Sequence, residues 1–151
     1  LYYLISQARL FMIDFDTFPN AKDPKALIES INHVRRQHDS NYLLDLMKKI
    51  TGKEAVVWGE SAIGFGRYQY LYKTGRKGKW PIISFSPSIQ NITINVMPGV
   101  DDYSPLIEKI GHVKRTPNTL ILHKLSDIDR PALERFIQKV VTDIQKKHDC
   151  S

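Results

Sequence analysis

One cysteine, Cys150, is all the thiol chemistry this chain of 151 residues carries, and a single cysteine excludes an internal disulfide. It stands in a polar tail, a poor setting for a nucleophile. A reduced, cytoplasmic compartment is the expectation. No stretch reaches the roughly 18 consecutive apolar residues that cross a bilayer, so no membrane partner is expected. The most apolar stretch, residues 1–15, is broken by Arg9 and Asp14. It lacks a basic region followed by a small-residue cleavage site, so it does not read as a secretory signal. The chain opens at Leu1, with Met12 a candidate initiator. Acidic residues are also in short supply. There are 16 of them against 22 Lys and Arg, giving a formal net charge of +6. That balance permits attraction to anions. The cations are scattered, however, over Arg35-Arg36, Lys48-Lys49, Arg76-Lys77-Gly78-Lys79, Lys114-Arg115 and Lys146-Lys147. They read as solvated surface rather than one nucleic-acid track, and nucleic acid is not an expected partner.

Motifs for catalysis are missing as well. Histidines 33, 38, 112, 123 and 148 form no HExxH pattern and no His/Cys cluster, so neither a structural zinc site nor any other metal site is expected. Ser61, Ser84 and Ser86 lie outside any nucleophile-elbow pattern. The carboxylates Asp101-Asp102 and Asp127-x-Asp129 precede helical patterns and read as caps rather than acid–base or metal pairs. Gly64-Phe65-Gly66 lacks the third glycine and following helix of a phosphate loop, and instead fits a bulge or close backbone approach. No cofactor and no enzyme activity are implied.

What is present is one domain's worth of patterned elements. Residues 1–22 read as an N-terminal extension, with a helical spacing of Leu4, Ala8, Phe11 and Phe15. Residues 23–148 read as a single α+β domain. Asp23-Pro24 starts a helix with the stripe Leu27, Ile28, Ile31 and Val34. Ser40 is placed as the cap of a second helix, ended by Gly52. A short strand is expected over 55–58. Residues 65–73 then alternate, with Tyr68, Tyr70 and Tyr72 on one face and Arg67, Gln69 and Leu71 on the other. Residues 74–79 are placed as a hairpin tip. Strands follow at 82–86 and 91–97, and the three strands are expected to pair as a meander. A helix over 103–110, a strand over 119–123 and an amphipathic last helix capped by Asp127 or Asp129 complete the chain.

The phrases WG-x-SAIGFG-x-YQY, TGRKGKWP, SFSPSIQN and VMPG fall in order from Trp58, and KLSDID opens the last helix. Between Leu43 and Ile137 the chain resembles the YdhG-like domain family, a group of small bacterial domains. The resemblance implies an antiparallel sheet packed on N- and C-terminal helices, and some relatives are described as frataxin-like iron chaperones. The chain departs from the family pattern where Lys79 replaces an acidic residue, where Ser88-Ile89 replaces a basic pair, and at 114–118.

Trp58, Tyr68, Tyr70, Arg76 and Trp80 belong to the densest run of these phrases. They combine rigid aromatic surface with one planar, permanently charged fork, which suits an anionic or amphipathic ligand. The competing structural role is that the tyrosines pack as a half-buried strand face, Trp80 anchors the hairpin and Arg76 is solvated. The reading that follows is a non-enzymatic binding module for a small molecule or protein. Iron delivery is the alternative, and it would call for clustered carboxylates. Nucleic-acid association through the basic hairpin and stacked tyrosines is a third reading.

Overall fold

The computed structural model describes residues 19–151, and the helix expected within residues 4–15 lies outside them. Asp23 caps the first helix, α1 (Pro24–Glu29), by accepting from the Lys25 N–H at 3.1 Å. The helix stops before Val34, contrary to the continuous stripe read from sequence. The next helix, α2 (Val34–Thr51), begins instead at His33, whose Nδ1 accepts from the Arg36 N–H. Val34 is consequently 71% exposed. Ser40 is no cap: it is buried inside α2 and donates its hydroxyl to the Arg36 carbonyl at 2.6 Å. A serine can satisfy itself this way within a helix, and the histidine takes over the capping role. Gly52 ends α2 as expected, with φ of 70° and its N–H on the Lys48 carbonyl.

A seven-stranded antiparallel sheet forms the body of the fold. Its strands are β1 (Pro19–Asn20), β2 (Ala55–Trp58), β3 (Ala62–Phe65), β6 (Ile83–Pro87), β7 (Ile92–Asn95), β9 (Thr119–Leu122) and β8 (Lys114–Thr116), in that spatial order. The end of the expected N-terminal extension thus pairs into the sheet. Between β3 and β6 the chain makes an excursion: β4 (Tyr68–Leu71) and β5 (Lys77–Trp80) form a separate two-stranded sheet. This corrects the three-strand meander, because β6 pairs with β3 and not with the tyrosine strand. The cause is Gly66, whose φ of 65° breaks the expected strand 65–73 and turns the chain away. The Ile82 N–H then returns to the Phe65 carbonyl and closes the excursion. Residues 77–79, expected in the hairpin tip, belong to β5, and the turn itself is shorter, with the Gly75 N–H on the Tyr72 carbonyl.

Helices α3 (Ser104–Ile110) and α4 (Arg130–Lys147) follow. Asp129 caps α4 by accepting from the Ala132 N–H. Asp127 lies in a preceding 3-10 turn, and Asp101 and Asp102 lie in another that has no side-chain cap. Both α2 and α4 pack on β6. They bury Phe65, Phe85, Ile94, Leu120, Leu133 and Phe136 completely, as their phases predict. Burying each such side chain contributes about 1.5–3 kcal/mol. Across the sheet runs a second, polar row in register, Ser84, Asn95, Thr119 and Thr116. In it the Asn95 amide donates to Ser84 and Ser86 hydroxyls. Among the described residues no helix is long and apolar enough to cross a membrane.

Candidate functional site

The excursion between β3 and β6 gathers four of the five residues singled out from sequence. Cross-strand register places Tyr68 opposite Trp80, Tyr70 opposite Gly78 and Leu71 opposite Lys77. Alternation therefore sends Tyr68, Tyr70 and Trp80 to one face. There the Tyr70 ring stacks on the Trp80 indole, with centroids 4.2 Å apart and planes 15° from parallel. Tyr68 and Tyr72 both meet the same indole edge-on. The indole N–H donates to the Tyr72 hydroxyl at 3.2 Å, and the Arg76 guanidinium lies 5.1 Å above the Tyr72 ring. Gly78 makes room for this cluster, since a Cβ there would meet the Tyr72 ring at 2.6 Å.

Trp58 is placed elsewhere. It lies buried in β2 on the large sheet, its indole edge over Gly64. A Cβ on Gly64 would stand 2.7 Å from the indole, so Gly64 serves close side-chain approach, as its strand context suggests.

Tyr68 is held most firmly. Its side chain is buried beside the His148 ring at the end of α4. The tail bridges the β4 edge: Arg67 and Ser151 exchange backbone bonds, and the Gln69 N–H donates to the Asp149 carbonyl. Its hydroxyl finds no hydrogen-bond partner among the described residues. Burial is the main cause that pushes the phenol above its usual range, helped by Tyr70 and Cys150.

The opposite face of the hairpin is cationic. Arg67, Lys73, Lys77 and Lys79 are exposed there, Arg76 is exposed beside Tyr72, and residues 67–80 contain no Asp or Glu. Gln69 and Lys79 face each other across the strands, as do Leu71 and Lys77. Leu71, 65% exposed, sits amid these cations. The alternation of residues 67–72 assigns it to this phase. The aromatic faces that would stack bases are engaged with one another, which leaves the cations as the accessible chemistry.

Two residues that sequence reading passed over have structural weight. Arg36, taken as solvated, is buried and donates to the carbonyls of Ser88, Ile89 and His123. It pins the start of α2 to the β6–β7 turn and the end of β9. Asp39, one turn on, accepts from the Leu125 N–H. The only available signal was the basic pair Arg35-Arg36, and nothing in a local pattern tells a buried arginine from an exposed one.

Elsewhere, a depression of about 390 Å³ on α4 is lined by Glu134, Arg135, Gln138, Lys139 and Thr142. Lys139 there is paired with Asp143, and Gln138 with Thr142. Among the described residues no group of three His, Cys, Asp or Glu side chains converges as a metal would require. Comparison with known families, with curated proteins and with solved structures returned no match to this chain.

Proposed function

We propose that the chain is a non-enzymatic, cytoplasmic binding module of the YdhG-like kind its phrases resemble, and that it takes an anionic or amphipathic ligand at the hairpin 67–80. One observation carries this reading: five exposed cations ride on a hairpin whose own residues include no carboxylate, and an interlocked aromatic cluster stiffens that hairpin. A rigid element presenting clustered positive charge is organised in advance for an anion, and pre-organisation lowers the entropy lost on binding. Arg76 supplies the planar donor fork beside Tyr72. Tyr72 lies under that fork and packs against Tyr70 and Trp80, with Tyr68 edge-on to the same indole, while Trp58 stays apart in the large sheet.

Iron delivery is the alternative from the same resemblance. The balance of 16 acidic against 22 basic residues favours an anion over iron, which is held by oxygen ligands. Titration calorimetry separates the two. Inorganic pyrophosphate or decanoate is expected to bind the parent chain and not Arg76→Ala. Tight, stoichiometric ferrous or ferric binding lost on neutralising Asp101 and Asp102 would replace this reading with the iron one.

A further inference from the structure

The outer face of the hairpin carries more than charge. Leu71 is one of the few large apolar side chains exposed anywhere on the described surface, and it is surrounded by Lys73, Lys77, Gln69 and Lys79. A phosphodiester backbone would satisfy the cations but would do nothing for the leucine. The rings that could have stacked nucleobases are on the other face and occupied. An anionic lipid surface satisfies both features. It removes leucine surface from water, and lysine stems lie along apolar surface while their ammonium groups stay with the headgroups. Each cation near such a surface adds attraction that falls off within a Debye length.

We propose that the outer face of the hairpin, Leu71 with Arg67, Lys73, Lys77 and Lys79, docks the protein peripherally on membranes containing anionic lipid. This deepens, and rests on, the reading of the hairpin as an anion site, since the lipid headgroup becomes the anion and the acyl region the amphipathic part. Docking of this kind needs no helix that crosses the bilayer. The register supports it: Leu71 and Lys77 are direct cross-strand neighbours, so the apolar anchor and a cation meet the interface together. The inner aromatic cluster keeps the two strands from separating as the face is pressed against it.

Sedimentation with vesicles tests the proposal. The parent chain is expected to pellet with phosphatidylserine-containing vesicles and not with pure phosphatidylcholine, and to be released by added salt. The double substitution Lys77→Glu with Lys79→Glu should weaken the association by more than about tenfold. Leu71→Ser should weaken it by about fivefold, because part of the contact is apolar. All three side chains are exposed, so each variant should keep the parent's thermal midpoint, and circular dichroism verifies this. Three results would overturn the proposal: no vesicle association, equal association with phosphatidylcholine, or indifference to Leu71→Ser. Tighter binding to a single-stranded oligonucleotide, unchanged by Leu71→Ser, would assign the face to nucleic acid instead. If vesicles fail while pyrophosphate still binds at Arg76, the lipid proposal falls and the small-anion reading stands. If both fail, the hairpin reading itself is wrong.

Discussion

Tyr70 and Trp80 lie one step apart along the diagonal of a two-stranded hairpin, and their rings stack 4.2 Å apart at 15°. Each residue alone is opposite something else: Tyr70 faces Gly78, and Trp80 faces Tyr68. The stack exists because the glycine leaves the diagonal open. It joins a hairpin too small for a core of its own to the large sheet, since isolated two-stranded hairpins are marginal in water. Trp80→Ala should therefore destabilise the protein by about 3–5 kcal/mol. A double-mutant cycle with Tyr70→Ala should give a coupling of about 0.5–1.5 kcal/mol, the usual range for aromatic pairs. Chemical denaturation of the four proteins in the cycle measures it, and a coupling near zero would mean the rings are merely adjacent.

Gly64 tests the packing of Trp58. Its φ is not in the positive range, so alanine meets no backbone strain there. The clash is with the indole and Pro81, both under 3 Å from a new Cβ. Gly64→Ala should cost about 1–3 kcal/mol by overpacking and shift tryptophan fluorescence. Unchanged stability and emission would show that Trp58 does not lie over this glycine.

The buried hydroxyl of Tyr68, without a hydrogen-bond partner among the described residues, predicts an unusual response. Leaving such a group unsatisfied costs about 1–3 kcal/mol, so Tyr68→Phe should be neutral or stabilising despite altering a core residue. The pH dependence follows from the raised phenol. A folded-state pKa above the unfolded one gives stability that is full below about pH 10 and falls as pH rises past it. Denaturation midpoints at about pH 8 and about pH 11 should show a smaller alkaline loss in Tyr68→Phe than in the parent. Equal losses would place the phenol in water.

The α+β class, the caps at Asp23 and Asp129, the stop at Gly52 and the buried face of α4 were all legible in the sequence, because each rests on contacts within a few residues. The helix break near His33 was not. It depends on an imidazole acting as a cap, while Ser40, a more ordinary capping residue, sits seven residues past the true cap inside the helix. The strand partner of β6 was also hidden. Periodicity marks a strand without naming its neighbour, and the turn at Gly66 decides which of two consecutive strands stays in the sheet. For the site, alternation separated the tyrosines from Arg67, Gln69 and Leu71 correctly. It could not show that the rings would engage one another and leave the other face to the cations. The burial of Arg36 was invisible because its partners are carbonyls more than fifty residues away in sequence.

The hairpin is proposed as the place where a ligand meets this protein. Amide chemical-shift mapping during titration with inorganic pyrophosphate, repeated with decanoate, tests it most directly. Shifts should cluster within residues 67–80. Arg76→Ala should abolish them while the protein stays folded, as circular dichroism verifies. Shifts centred outside the hairpin, or an Arg76→Ala protein that loses stability and still binds, would contradict the account and make these residues framework.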